Sequence, residues 1–278
     1  MKWKNFFMPV GSMDPEEARA YMAEHSEGTY TLLDVRQLRE YEESRIPGAT
    51  LIPLPQLSDR LQDLDPKKPV LAYCAIGGRS RAAAQLLAGQ GFKEVYNLKG
   101  GIKAWNGLTA EGPVDFGNES RARDMSPHEV LDLALAMEKG LADFYLMAAR
   151  ENGDQEVKAL LTKLAGFEEK HQNRLRELFQ SLSSDGKSTG AVGREGAASV
   201  MEGGFVPEAF LERNRSLMKS PADILSLAMM LESQALDLYV RFAGYMDDEK
   251  NRRLLQQIAD DEKAHLRALG EMIEKGYH

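Results

Sequence analysis

Short apolar runs alternate with polar, helix-like segments over residues 1–110. The runs TYTLLDV (29–35) and PVLAYC (69–74) are rich in β-branched and apolar residues, which predicts buried strands. Extended structure is also predicted for 46–54 and for 93–101, and helices are predicted for 36–44, 55–64 and 81–92, with a further helix capped by Asp14 and started by Pro15. This alternation predicts an α/β domain built around a mostly parallel sheet.

The pattern changes to long helical periodicity near residue 126, and the helical segment contains an internal repeat. Residues of the first copy recur 94 positions later as identical residues: Ser126 and Ser220, Glu138 and Glu232, Tyr145 and Tyr239, Glu168 and Glu262, His171 and His265. A single offset predicts two copies of one helical hairpin, over 126–180 and 220–275, each begun by a serine cap and a proline. The segment 181–204 is rich in Gly and Ser, which predicts a flexible crossover.

The two patterns together predict a domain over 1–115, a linker over 116–125 and a helical domain over 126–278. Hydrophobic residues make up 43% and charged residues 28%, as in folded chains. A formal net charge of -8 argues against nucleic acid or an anionic membrane surface as a partner. One cysteine excludes an intramolecular disulfide, and no run approaches the roughly 18 apolar residues of a membrane span. We therefore expect a cytoplasmic protein.

The only cysteine, Cys74, ends a predicted strand and opens the loop CAIGGRSR (74–81). Gly77 and Gly78 allow a tight turn, and the helix that follows directs its N-terminal amides at the sulfur. Such amides stabilise a thiolate or a bound anion, and Arg79 adds a permanent positive charge suited to an oxyanion. The chemical alternative is an inert, buried cysteine.

Three blocks of the first domain resemble the rhodanese-like sulfurtransferases, over about residues 5–110. CAIGGRS (74–80) fits the family pattern CxxGxRS, LLDVRQLREYEESRIPGA (32–49) is similar to an earlier block, and NLKGGIKAW (97–105) is similar to the closing strand and turn. A departure is Arg45, where the family often has histidine. The six-residue loop is the length of sulfur-handling members, whereas related phosphatases have a longer loop.

This resemblance implies that Cys74 and Arg79 are catalytic. Cys74 would carry a persulfide between a thiosulfate or persulfide donor and a thiol or cyanide acceptor. The substrate would be held by the loop, which consists of Ala75, Ile76, Gly77, Gly78, Arg79 and Ser80.

Carboxylates of the helical repeat lie on apolar helix faces. Glu138 has Ala134, Leu141 and Tyr145 on its own face, and Glu232 has an equivalent setting. The two ExxH pairs, Glu168 with His171 and Glu262 with His265, lie between leucine and isoleucine residues. Burying such charges without compensation costs several kcal/mol each. Two metal ions would compensate them, and the set matches dinuclear carboxylate sites of helical bundles; a polar network of protein groups alone is the alternative.

Residues 126–275 resemble the rubrerythrin branch of the ferritin-like family. The resemblance implies a four-helix bundle that holds two iron ions and reacts with oxygen or peroxide. Its ligands would be Glu138, Glu168, His171, Glu232, Glu262 and His265, with Glu168 and Glu262 bridging the ions. Ala235 stands where the family has a further glutamate, and one cysteine cannot supply the family's rubredoxin module. Manganese or zinc suits a similar ligand shell.

The sequence leaves three functions open: a sulfurtransferase with a fused di-iron domain, an oxidoreductase that consumes peroxide or oxygen, and a metal-binding or sensing module. Each hairpin supplies half of the ligand set, and the hairpins could pair within one chain or be exchanged between two chains. We expect a homodimer on this basis.

Overall fold

The computed structural model describes residues 10–112, 125–183, 201, 206–215 and 218–274. The chain divides into two compact units. The first comprises Met1–Gly117 with the helical segments Leu236–Gly244 and Leu255–Lys263, and the second comprises Asn118–Ala235, Tyr245–Leu254 and Ala264–His278. The predicted linker lies outside the described residues except for residue 125, and so does most of the predicted crossover.

Five parallel strands form the sheet of the first unit, in the order β1-β5-β4-β2-β3. The strands are β1 (Gly11–Met13), β2 (Thr31–Asp34), β3 (Thr50–Leu51), β4 (Val70–Tyr73) and β5 (Val95–Leu98). The predicted α/β class with a parallel sheet is confirmed for this unit. All four residues of the central strand β4 are buried, so the chain that follows it emerges at the middle of the sheet's carboxyl edge.

Two apolar clusters cover the sheet, one on each face, and β4 contributes to both. Val70 and Ala72 pack with residues of the helix that follows, whereas Leu71 and Tyr73 pack on the opposite face. Successive side chains of a strand point to opposite faces, so a strand buried on both faces is apolar at every position. This is the physical reason for the unbroken run PVLAYC.

The helices of the first unit are α1 (Pro15–Glu24), α2 (Leu38–Glu43), α3 (Gly78–Gly89) and α4 (Gly101–Ala104). The predicted cap of α1 is present: the Asp14 side chain accepts from the amides of Glu16 and Glu17, and the Glu17 carboxylate accepts from the Asp14 amide. This reciprocal pairing satisfies amides that have no partner inside a first helical turn.

The helix predicted over 55–64 is present as 3-10 structure and is interrupted at one residue. Two 3-10 segments, Leu54–Asp59 and Leu61–Asp63, occupy this stretch. Between them Arg60 has φ -120° and ψ 20°, which interrupts the helical dihedrals. Leu57 is fully buried, and its anchoring in the sheet's cluster decides the path of this short stretch. Strand β1 was not predicted, because three residues are too few to show an alternation.

Four long helices follow: α5 (Pro127–Glu151), α6 (Gln155–Ser183), α8 (Pro221–Tyr245) and α9 (Glu249–Glu274). Ser126 caps α5 through the amide of Glu129, and Ser220 likewise accepts from the amide of Asp223, as the repeat predicts. A shorter helix, α7 (Pro207–Asn214), was not predicted. Met201, inside the predicted crossover, is fully buried in an apolar cluster with Phe210 of α7. No helix among the described residues is long and apolar enough to cross a membrane.

Candidate active site and candidate metal centre

Cys74 directly follows β4, at the carboxyl edge of the sheet. Its Sγ accepts a hydrogen bond of 3.1 Å from the amide of Gly77, and α3 begins at the next residue, Gly78. Gly77 has φ +97°, a backbone conformation that residues other than glycine strongly disfavour. The loop therefore directs the N-terminus of a twelve-residue helix at the only sulfur nucleophile of the chain.

The glycine pair of the block NLKGG, Gly100 and Gly101, packs against the backbone of the cysteine loop. Gly101 has φ +60°, and a Cβ atom there would lie 2.2 Å from the Cys74 carbonyl oxygen. That carbonyl accepts from the amide of Ile102 at 2.8 Å, and the Ala75 carbonyl accepts from the amide of Lys103 at 3.1 Å. The backbone of α4 thus holds the loop carbonyls, which leaves the loop amides directed at the sulfur.

The electrostatics of this loop favour the thiolate of Cys74. Burial acts to raise the pKa of the thiol, since only 1% of the residue is exposed. Hydrogen bonds from the Ser80 side chain and from the amides of Ser80, Ile76 and Gly77 outweigh burial, and the pKa is lowered. A lowered pKa raises the fraction of the nucleophilic thiolate at neutral pH.

Arg79 is held by a glutamate that sequence reasoning missed. Its two terminal nitrogens donate to the two carboxylate oxygens of Glu40 on α2, at 2.8 and 2.6 Å. This pairing is the chief reason that the pKa of Glu40 is lowered to about 2. The sequence predicts that the positive charge of Arg79 binds an oxyanion. In the structure, the Glu40 carboxylate largely balances this charge. Only the fold shows this, because 39 residues separate the two.

Substitution of Glu40 by glutamine is expected to strengthen oxyanion binding at the Cys74 loop by about three- to tenfold, because a negative charge beside Arg79 is removed while one acceptor oxygen remains. Protection of Cys74 from alkylation at several sulfate concentrations measures the change. Glu43→Gln, on the same helix and paired with the exposed Arg39, is the matched control and should leave the protection unchanged. Weaker protection in Glu40→Gln would show instead that Glu40 is needed to orient Arg79.

Ser80 and Asn97 complete the surroundings of the sulfur. The Ser80 hydroxyl lies 3.4 Å from Cys74 Sγ and 2.7 Å from Asn97 Oδ1 on β5. Ser80 is fully buried and Asn97 is 6% exposed. In contrast, the Ile76 side chain of the same loop is 67% exposed. The loop therefore presents the apolar side chain of Ile76 to solvent and buries the hydroxyl of Ser80 beside the sulfur.

Arg45, the departure from the family pattern, makes a buried ion pair within the first unit. Its Nε and one terminal nitrogen donate to Asp237 Oδ2 at 3.0 and 2.7 Å, and neither side chain is exposed. Asp237 also accepts from Arg241 at 2.9 Å and from the Gly48 amide at 3.1 Å. The chain segment of the motif IPGA is thereby joined to the helical segment Leu236–Gly244, a contact that the sequence motifs do not reveal.

The second unit brings together five of the six predicted metal ligands in two groups. His171 Nδ1 lies 3.1 Å from a Glu138 oxygen and 3.8 Å from a Glu168 oxygen, and His265 Nδ1 lies 3.5 Å from a Glu232 oxygen. The rings of His171 and His265 are stacked, with centroids 3.4 Å apart. The sixth residue, Glu262, is 1% exposed and precedes His265 by one helical turn on α9.

The donor atoms lie near one another, as a site for a divalent cation requires. Ligand atoms about 2.1 Å from one ion, at right or tetrahedral angles, lie about 3.0–3.4 Å from each other. The ligand-type atoms of Glu138, Glu168 and His171 all fall within 4.8 Å of one another, with both carboxylates buried. Carboxylate with imidazole is a donor set suited to iron, manganese or zinc. Elemental analysis of the purified protein distinguishes a metal centre from a network of protein hydrogen bonds alone.

The fold and the cysteine loop define a class: an α/β protein whose central strand ends at a cysteine that faces the amides at a helix N-terminus. Comparison with known proteins identifies the family of this part of the chain. A profile of the family described as Rhodanese-like domain matches residues 14–108. Thiosulfate sulfurtransferase GlpE of Coxiella burnetii is 43% identical over 89 residues, which cover 32% of this chain and 80% of GlpE. The chain therefore belongs to the rhodanese-like family, through its first part.

Two further relatives match the same part of the chain. The protein YqhL of Bacillus subtilis is 49% identical over 76 residues, so the match spans 27% of this chain and 60% of YqhL. A crystal structure of a rhodanese-like domain protein from Staphylococcus aureus is 28% identical, with a TM-score of 0.33, and covers 35% of this chain and 92% of that protein.

Proposed function

We propose that the first unit is a sulfurtransferase that carries sulfane sulfur on Cys74. The observation that supports this most directly is the hydrogen bond from the Gly77 amide to Cys74 Sγ at the N-terminus of α3. An anion-stabilising loop around a thiol of lowered pKa is what a persulfide-forming cysteine requires, because both the thiolate and the persulfide carry negative charge. The naming of GlpE as a thiosulfate sulfurtransferase agrees with this chemistry.

The proposed reaction has two displacement steps. The Cys74 thiolate attacks the terminal sulfur of thiosulfate, the sulfur–sulfur bond of thiosulfate breaks, and sulfite leaves with the bonding electron pair. Cys74 now carries a persulfide anion, which the amides of the loop 75–80 stabilise. Cyanide or an acceptor thiolate then attacks the outer sulfur, and Cys74 leaves as a thiolate, ready for the next donor.

The test uses the full chain with thiosulfate and cyanide. We expect sulfite and thiocyanate in equal amounts, and without acceptor a mass gain of one sulfur atom on the chain. Because there is one cysteine, this gain must map to the peptide containing Cys74. Absence of both products over a range of thiosulfate concentrations and with a persulfide donor would contradict the proposal.

We further propose that the helical repeat holds two divalent metal ions, with iron as the resident metal. The support is the buried carboxylates that lie beside the partly exposed imidazoles of His171 and His265. Glu138, Glu168, His171, Glu232 and His265 would be ligands, and Glu262 is kept in the set because it lies one turn from His265 on α9. Iron would supply redox chemistry with oxygen or peroxide. A metal-binding or sensing role without turnover is the competing proposal.

Glu168→Gln is expected to reduce the metal content and to lower the melting temperature of the metal-loaded protein. Buried carboxylates without a cation are costly, and a ligand that binds only the folded state stabilises it. Elemental analysis beside calorimetry, with and without chelator, measures both effects. The neighbouring Glu169 is exposed, so Glu169→Gln is the matched control and should change neither. If the metal-free protein has a melting temperature that added iron does not change, the metal centre is contradicted.

A further inference from the structure

Ser80 has one hydroxyl proton and two acceptors within reach. Its oxygen lies 2.7 Å from Asn97 Oδ1 and 3.4 Å from Cys74 Sγ. While the proton is donated to Asn97, the Ser80 hydroxyl presents only its lone pairs to the sulfur, which still accepts from the Gly77 amide. That arrangement suits a neutral thiol and opposes an anionic sulfur. The state of the sulfur is therefore tied to the direction of the Ser80 proton.

Asn97 can present either an acceptor or a donor at this place. A half-turn of its amide exchanges the carbonyl oxygen for the NH₂ group, which are nearly the same size. With the NH₂ group facing Ser80, the amide donates to the hydroxyl oxygen, and the hydroxyl proton is released toward Cys74. An anionic sulfur favours this second arrangement, because hydrogen bonds to charged acceptors are stronger than neutral ones.

Asn97 is a polar side chain in mostly apolar surroundings. Val95, two residues earlier on the same face of β5, belongs to the apolar cluster with Ala83, Ala84 and Cys74. Asn97 lies on the same face of β5 as Val95 and is 6% exposed. A buried amide costs free energy unless it is hydrogen-bonded. The Asn97 side chain accepts a hydrogen bond from Ser80, the residue that contacts the sulfur.

We propose that Asn97 is a positioning residue that directs the hydroxyl proton of Ser80 onto Cys74 when the sulfur is anionic. Asn97 acts through Ser80 and need not touch the substrate. The inference rests on the proposed function in one respect: the anionic sulfur is the thiolate and the persulfide of the sulfurtransferase cycle. The lowered pKa of Cys74, to which the Ser80 hydroxyl contributes, agrees with it.

Asn97→Asp is the informative substitution, because a carboxylate has nearly the same shape and only accepts hydrogen bonds. It retains the Ser80 proton, so the pH midpoint of Cys74 alkylation by iodoacetamide should rise by about one unit or more. Asn97→Ala leaves the Ser80 hydroxyl free to turn toward the sulfur, so its midpoint should rise by less than half as much. A larger shift with alanine than with aspartate would show that Asn97 acts through packing alone, and would overturn the proposal.

The introduced charge could also act on Cys74 directly, and a Ser80→Ala background separates the two effects. If Asn97 acts through Ser80, the Asn97→Asp shift should fall to a minor fraction in that background. Equal shifts with and without the hydroxyl would overturn the proposal. The helices beside the loop carry the charged residues Arg39, Glu40, Glu42 and Glu43 of α2, Arg79 and Arg81 of α3, and Lys103 of α4, and they are unchanged in every variant.

Alkylation reports on the only thiol of the chain, whether or not sulfur is transferred. Its outcome is therefore distinguishable from failure of the sulfurtransferase assay. Thermal unfolding of each variant shows whether the fold is intact at the assay temperature. If Asn97→Asp does not fold, Asn97→Ser supplies the second measurement. Its short hydroxyl side chain should give a shift no larger than that of alanine, and a larger one would contradict the proposal.

Discussion

Cys74→Ser is expected to abolish sulfur transfer from thiosulfate to cyanide, by about three orders of magnitude or more, because a serine hydroxyl is a far weaker nucleophile at neutral pH and forms no persulfide. The variant should fold as the original does, since oxygen for sulfur is a small change in the loop. Sulfite release and thiocyanate formation measure the rate, and intact mass measures the trapped sulfur.

A matched control is available in the same loop. Ile76 is exposed and donates only its backbone amide to the sulfur environment, so Ile76→Val should retain a rate within about twofold. Full activity in Cys74→Ser would remove the sulfurtransferase proposal. Loss of activity in both variants together with a lowered melting temperature would point to a damaged loop, and circular dichroism of the two proteins would show it.

Asp237→Ala is expected to be the most destabilising single substitution considered for the first unit, by about 3–5 kcal/mol, because it leaves the buried guanidinium of Arg45 without its counter-charge. Both side chains of this pair have no exposed area. Arg241 and the Gly48 amide lose the same partner. Calorimetry and urea unfolding measure the change in the free energy of unfolding.

The control for this substitution is Asp247→Ala, which removes an exposed aspartate two residues after the end of the helix that contains Asp237 and should change stability by less than about 0.5 kcal/mol. A combined Arg45→Leu and Asp237→Leu variant should recover part of the loss, since a guanidinium is no longer buried at position 45 without its counter-charge. If Asp237→Ala is no less stable than Asp247→Ala, the ion pair contributes nothing to the fold.

The sequence carried enough information for the sheet and its loop because these depend on local patterns. A strand buried on both faces is apolar at each position, and PVLAYC shows this without knowledge of its neighbours. Gly77 and Gly101 have positive φ angles that favour glycine, so their presence in the two glycine motifs records the turn directly. The repeat offset likewise predicted two hairpins with equivalent caps, and both serine caps are present.

Short segments were predicted less well, because their structure depends on what they contact. Over 55–64 the residues suit a helix locally, but the burial of Leu57 against the sheet and the break at Arg60 give two 3-10 segments. Strand β1 exists through its pairing with β5, with Ser12 opposite Asn97. Neither fact is present in the local pattern of these residues.

What the sequence determined by itself is the identity of the chemical groups: one thiol after a buried strand, glycines that curl the chain, and repeated Glu and His residues on apolar helix faces. What only the tertiary structure decided is which distant groups meet them. Glu40 balances Arg79 across 39 residues, and Asp237 meets Arg45 across 192 residues. Asn97 reaches Ser80 because β5 lies beside β4 in the sheet. Periodicity and motifs record the local conformation of a chain, whereas an ion pair or hydrogen bond between distant segments is set by how the elements pack.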